Sequence, residues 1–244
     1  MSFERTFSLS LALLSASHAY CANLSYSTYL KDGFTPRTMV ADAQGNLYIS
    51  GLIVTDPAAG ARSAVVAKLD PLASGFLYLA YLDSTASDNL TSIAVDAAGN
   101  AYVTGSTSNP NFPSTGGTLA TPPANAQDSR SFVTKLGPSG AVLFSVLVGG
   151  SAASSANVIA LTPQGQILIT GNSNASGFPV TPGAFQVPDS KGHPFLMELD
   201  ATASSMIFSA TGIGGSSIAL DGPGNIYVSG TTTLLDYPTT LLSG

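Results

Sequence analysis

Three aspartates recur at the head of one phrase: Asp42-Ala-Gln-Gly45-Asn46-Leu-Tyr48-Ile-Ser-Gly51, Asp96-Ala-Ala-Gly99-Asn100-Ala-Tyr102-Val-Thr-Gly105 and Asp221-Gly-Pro-Gly224-Asn225-Ile-Tyr227-Val-Ser-Gly230. Carboxylates repeated around a ring could present oxygens to calcium. A fourth copy of the phrase, Thr162-Pro-Gln-Gly165-Gln166-Ile-Leu168-Ile-Thr-Gly171, carries threonine at that position and would break the ring. A short polar side chain ahead of Gly and Asn also bonds its own turn backbone, so each aspartate reads as the anchor of an Asx turn.

The remaining chemistry-bearing residues form no recognisable reaction centre. Lys68 and Lys135 stand at matching places, where the third copy has Glu198, and the expectation is a structural pairing of basic and acidic partners on adjacent units. His18 would leave with a secretion signal, so a Ser-His-Asp triad or a multi-histidine metal site would have to be built around His193 alone. Neither Gly-x-Ser-x-Gly nor His-Glu-x-x-His occurs. Paired carboxylates for glycoside hydrolysis could be drawn from Asp32, Asp83, Asp88, Asp128, Asp189 and Glu198, but no spacing singles out a pair. The chain has no Trp, the broadest aromatic platform for a sugar. No catalytic residue, no metal ligand and no cofactor is expected.

The phrase that carries these aspartates ends at Gly51, Gly105, Gly171 and Gly230, intervals of 54, 66 and 59 residues. Such a period marks stacked supersecondary units, each unable to bury its apolar face without a neighbour. Each unit holds short segments bounded by turn residues. The first segments are Thr38 to Ala41, Ser92 to Val95, Val158 to Leu161 and Ser217 to Leu220; the second are Leu47 to Ser50, Ala101 to Thr104, Ile167 to Thr170 and Ile226 to Ser229. Third segments occur at Ala64 to Leu69, Phe132 to Leu136 and Phe195 to Leu199. Fourth segments occur at Phe76 to Leu82, Leu143 to Val148 and Ile207 to Ile213, with one more of that type at Leu24 to Leu30. The connections are short enough to force antiparallel neighbours. Successive apolar residues, as in Ala101-Tyr-Val, imply strands buried on both faces. The spacing therefore predicts an all-β chain of four-stranded antiparallel blades, with the first strand of each innermost, three blades complete and the last one short.

Composition agrees. Charged residues are 9% of the 244, hydrophobic residues 44%, and 25 Gly with 15 Pro suit short strands and tight turns better than helices. A net charge of −6 with no run of Lys or Arg gives no footprint for a nucleic-acid backbone. Residues 1–19 read as a signal peptide, with Arg5, an apolar stretch from Phe7 to Ala16 and a small-x-small end at Ser17-His18-Ala19. That stretch is shorter than the roughly 20 apolar residues a spanning helix needs. Residues 20–244 would then form the repeat domain, in units of about 24–82, 83–150, 151–215 and 216–244, secreted or held at the cell surface. Cys21 is the single cysteine and forms no intrachain disulfide.

The chain resembles the bacterial SBBP β-propeller repeat family. Beside the Asp-x-x-Gly-Asn-x-Tyr phrase it has the Phe-Pro elements Asn111-Phe112-Pro113 and Gly177-Phe178-Pro179, a variant Asp236-Tyr237-Pro238, Lys68-Leu69 and Lys135-Leu136, and the ends Gly149-Gly150 and Gly214-Gly215. The resemblance spans about residues 24 to 240. It implies a β-propeller and no general reaction. The first unit departs from it with Asp56-Pro57 in the Phe-Pro position.

In such blades the second-to-third connections share a face with the links between blades, and here two are long, Ser106 to Ser131 and Asn172 to Pro194, against Leu52 to Ser63 in the first unit. Long loops on a rigid scaffold are where recognition is usually carried. Phe112, Asp128, Arg130, Phe178, Asp189 and His193 are the candidate binding residues there, although both phenylalanines read first as fillers of the gaps between blades. The expected role is a non-catalytic binding or scaffold module for protein or glycan. A spacer within a larger surface protein and a carbohydrate-acting hydrolase or lyase are the alternatives, and further repeats or a partner chain could cap the open edges.

Overall fold

The computed structural model describes residues 30, 32–58, 61–83, 88–115, 119–120, 125, 128–174, 177–187 and 192–231. The signal peptide, Cys21, residues 24–29, Asp189 and Tyr237-Pro238 lie outside the described residues. Every regular element within them is a strand.

Three successive sheets have the simplest antiparallel connectivity. The first is β1 (Phe34–Ala41), β2 (Leu47–Asp56), β3 (Ala61–Leu69) and β4 (Phe76–Asp83), in that spatial order. The second sheet runs β5 (Asp88–Val95), β6 (Ala101–Thr107), β8 (Arg130–Leu136) and β9 (Val142–Gly149), and a two-residue strand, β7 (Leu119–Ala120), adds parallel to the outer side of β9. The third is β10 (Ser154–Leu161), β11 (Ile167–Ser173), β12 (His193–Leu199) and β13 (Met206–Thr211). A two-stranded sheet of β14 (Ser217–Leu220) and β15 (Ile226–Ser229) follows. The four antiparallel strands of each complete unit agree with the sequence pattern; β7 is additional, a loop segment that gains strand pairing only from the open edge of β9.

First strands lie side by side, β1 on β5, β5 on β10 and β10 on β14, so they form the inner side of the array. The core is divided into seams between sheets. One seam joins Tyr48, Ala64, Val66 and Leu82 of the first sheet to Leu90, Val103, Phe132 and Leu147 of the second. The next joins Tyr102, Val133, Val146 and Val148 of the second to Ile159, Ile169, Phe195 and Met197 of the third. Second strands are consequently buried on both faces: all of Ala101–Gly105 and of Ile167–Gly171 is buried. Sheets sandwiched between sheets require that pattern.

The closing glycine of the phrase has a local cause. The first strand of each four-stranded sheet carries a β-bulge, between Pro36 and Thr38, Leu90 and Ser92, and Ala156 and Val158. The bulge drives a backbone carbonyl onto the glycine opposite, Thr35 onto Gly51, Asn89 onto Gly105 and Ser155 onto Gly171, where a Cβ would collide with the oxygen. A bulge with glycine facing it bends the strand where it leaves the seam.

Candidate functional site

On the turn side of the sheets, each repeat aspartate is the centre of a closed hydrogen-bond set. Asp96 Oδ1 accepts from the backbone N–H of Ala98 at 3.0 Å and of Asn100 at 2.9 Å, while Oδ2 accepts from Asn100 Nδ2 at 2.7 Å and Tyr102 OH at 3.1 Å. Asp42 repeats this with Gln44, Asn46 and Tyr48, and Asp221 with Asn225 and Tyr227. A carboxylate has about four acceptor directions. Asp42 and Asp96 use them all on their own turns, which leaves no oxygen directed at a metal. Among the described residues no three of His, Cys, Asp and Glu converge on a point.

Electrostatics follow from these bonds. Burial raises the pKa of Asp96, but the bonds from Asn100, Tyr102 and Ala98 outweigh it and hold the carboxyl below the ordinary aspartate range. Burial and then the charge of Asp96 push the Tyr102 phenol well above its usual value, so it stays protonated and donates. An acid held ionised and a phenol held neutral make a fixed cluster rather than an exchanging pair. Tyr48 OH has a second acceptor in reach, the carbonyl of Gly99 at 3.1 Å, so its one proton is shared between Asp42 of its own turn and the turn of the next blade.

Lys135 caps its cluster within its own sheet. Its Nζ lies 4.0 Å from Asp96 Oδ2 and 4.7 Å from the centre of the Tyr102 ring, its cross-strand partner. Lys68 sits 4.8 Å over the ring of Tyr48 in the same register. The expected pairing with Glu198 is thus corrected: the partners of each lysine come from the same blade, because Tyr and Lys face each other across the second and third strands. Glu198 stands opposite Leu168 instead, and burial raises its pKa.

The third-to-fourth turns solve a separate problem. Ala73 and Ala203 adopt φ of 51° and 52°, a left-handed conformation that disfavours alanine, where the second sheet uses Gly140. Those two turns open with Asp70 and Asp200, whose carboxylates accept from Leu72, Ser74, Thr202, Ser204 and Ser205. The turn with glycine opens with Gly137 and needs no such anchor.

On the opposite side, Phe112 and Phe178 are both 5% exposed, stacked at 4.7 Å on Phe132 and 4.6 Å on Phe195. Their rings close the two seams, so they act as plugs between blades, and any ligand surface must come from the loop residues around them. Half-buried Arg130 donates from Nη2 to the carbonyl of Asn109 at 2.8 Å. Asp128 turns back on Asn125. His193 opens β12 beside Phe178, Gln186, Ser173 and Thr211, which together line a shallow hollow with room for about one water molecule. Arg130 and Asp128 belong to the second sheet's loop and His193 to the third's, and only His193 of the three lines the hollow.

Two residues that matter here escaped the sequence reading. Thr115 and Thr181, each two positions past the proline of Phe-Pro, clamp the loop onto the fourth strand of its own sheet. Thr115 donates its N–H to Ser145 O at 3.0 Å and accepts from Ser145 N on Oγ1 at 2.9 Å; Thr181 does the same with Ser209 at 3.0 and 3.2 Å. The repeated Phe-Pro-x-Thr was the available signal.

Comparison with known proteins agrees with this geometry. Residues 75–113 match the family model described as SBBP, beta-propeller repeat. The matched span runs from the outer strand of the first sheet through β5 and β6 to Phe112-Pro113. No curated protein matches the chain. The stretch that matches an SBBP beta-propeller repeat is set in an all-β chain whose first and third sheets repeat its bulge and turn and whose third sheet repeats its phenylalanine plug.

Proposed function

We propose that this chain is a non-catalytic binding or scaffold module, secreted or held at the cell surface, that engages protein or glycan through the side formed by its second-to-third connections. One contrast carries the reading. The turn side is nearly identical from unit to unit and its carboxylates are engaged by their own backbones, whereas the connection side differs in length and content between units. Distinct contacts require distinct surfaces on a common frame. The rigid seams beneath Phe112 and Phe178 supply the frame, and Asp128, Gln186 and His193 supply polar groups at its rim.

Arrays of immobilised glycans and surface proteins, probed with the intact chain and with a Gln186→Ala/His193→Ala variant, test this. The expected result is one ligand class retained by the intact chain and weakened about tenfold or more in the variant. Retention of nothing on either array would hand the lead to a spacer role.

A further inference from the structure

The second and third sheets protect their outer edges with the chain's own loops, and among the described residues the first does not. On the second sheet the clamp of Thr115 on Ser145 is followed by parallel pairing of Leu119–Ala120 with Val148–Gly149. On the third, Thr181 clamps Ser209, and Thr211 N donates to Phe185 O at 3.2 Å. Both covers read Phe-Pro-x-Thr with an apolar residue four places beyond the threonine, Leu119 or Phe185. In the first unit the corresponding stretch is Asp56-Pro57-Ala58-Ala59-Gly60, with neither the aromatic nor the threonine. Among the described residues β4 is the outer strand of its sheet, with nothing paired beyond it.

Register makes the three edges comparable residue by residue. Tyr78 faces Lys68 as Phe144 faces Lys135 and Phe208 faces Glu198, so Leu79 matches Ser145 and Ser209, and Tyr81 matches Leu147 and Thr211. Tyr81 is 48% exposed, against 6% for Leu147 and 7% for Thr211, because those two face a preceding sheet and none precedes the first sheet among the described residues; that difference belongs to the face of the sheet, and the edge differs in its backbone. Ala80, on the face turned to the second sheet, is half-buried where Val146 and Ala210 are fully buried. The N–H groups of Ser145 and Thr211 point outward to their covers; in the same register those of Leu79 and Tyr81 point outward from β4. An outer strand of low charge and uncovered backbone is a template for another strand.

We propose that β4 is a strand-addition site that takes an extended, uncharged segment of a partner protein, running parallel to β4, with a threonine over Leu79 and an apolar residue four places later near Tyr81. The occupant's chemistry is read from the molecule's own two solutions at equivalent edges: both are uncharged, both run parallel to the fourth strand, and both anchor through threonine. Main-chain bonds would give the affinity and the alternate side chains the selectivity. This surface is separate from the connection side and does not rest on that reading.

The probes are two labelled peptides with the sequences of the chain's own covers, residues 112–120 and 178–187, titrated against the full chain by fluorescence anisotropy. Saturable binding is expected, weakened about tenfold or more by Leu79→Pro, which removes an outward N–H without touching the ladder to β3, and by Tyr81→Lys, which keeps the backbone and sets a charge on the edge. His193→Ala should leave it unchanged, which separates this surface from the connection side. Absence of saturable binding, or equal binding by both edge variants, overturns the proposal. A concentration-dependent dimer that Tyr81→Lys abolishes would overturn it in favour of a second copy as occupant. Amides of Leu79 and Tyr81 that exchange as slowly as those of Ser145 and Thr211 in the free chain would overturn it in favour of a cover from the chain itself.

Discussion

The turn of the second sheet and the turn of the third have the same backbone and different side chains. In both, the first residue exchanges bonds with the fifth and the fourth: Asp96 N to Asn100 O and Gly99 N to Asp96 O at 3.0 Å, Thr162 N to Gln166 O and Gly165 N to Thr162 O at 2.9 Å. Gly99 and Gly165 have φ of 79° and 82°. Above that shared frame one sheet stacks Asp96, Asn100, Tyr102 and Lys135, and the other places Thr162, Gln166, Leu168 and Glu198. Tyr102 and Leu168 are both buried. Backbone and glycine make the turn; the charged aspartate can give way to a neutral threonine that still accepts from the turn backbone, and the tyrosine above it to a leucine.

The largest expected effect comes from breaking what the two units share. Gly105→Ala and Gly171→Ala each force a methyl into a carbonyl of the facing bulge, with neither strand free to withdraw. Each should cost about 4 kcal/mol or more, enough to prevent folding of a marginal domain, and urea unfolding or loss of soluble expression reads it out. Tolerance of either change would show that the bulge is not fixed.

Changing what differs should matter less and unequally. Asp96→Ala strands the donors of Ala98, Asn100 and Tyr102 and should destabilise by about 1–3 kcal/mol. Thr162→Ala loses two bonds with Gln166, neither to a charged group, and should cost about 1 kcal/mol. Equal losses in urea unfolding would erase the distinction between frame and cap.

Acid sharpens it further. The carboxyls of Asp42 and Asp96 have folded-state pKa values held below the ordinary value of about 4, so their contribution is fully present above that pH and is lost as pH falls through the lower folded value. Asp96→Asn should flatten the dependence of the urea midpoint on pH below about 4 relative to the wild type. Parallel curves for the two proteins would refute a role for this carboxylate.

The smallest effect concerns one phenol. Tyr78 occupies the place held by Phe144 and Phe208, its hydroxyl is buried without a hydrogen-bond partner, and burial pushes its pKa up to about 12. Tyr78→Phe should be neutral or stabilising by up to about 1 kcal/mol, because it removes an unsatisfied group and keeps the ring. A clear loss of stability on calorimetry would mean that the hydroxyl is engaged.

Much of the fold was legible because a repeat displays its own template. Strand segments at Thr38 to Ala41 or Ile167 to Thr170 fall inside β1 and β11, extended outward through residues such as Pro36 and Ser173 that bear no strong strand signal. The repeat favours Phe112 and Phe178 as plugs between blades, and their burial agrees, but a Phe beside a Pro looks the same on a ligand face and in a seam, so only the structure separates the two. Thr115, Thr181 and β7 were missed for a related reason. A threonine in a Gly-rich stretch reads as loop, and only the outer edge of β9 or β13 gives it a backbone to clamp.

By itself the sequence determined the periodicity, the four-stranded unit, the turns and their glycines, since these depend on residues near one another in the chain and on positive φ that few residues adopt. It also determined that each aspartate serves its own turn, because the donors lie two, four and six residues away. Tertiary structure alone decided which lysine meets which partner, where the phenylalanines go and which edges are covered. Those outcomes depend on cross-strand register and on which neighbouring backbone presents an open edge, and such long-range geometry leaves no mark in local spacing.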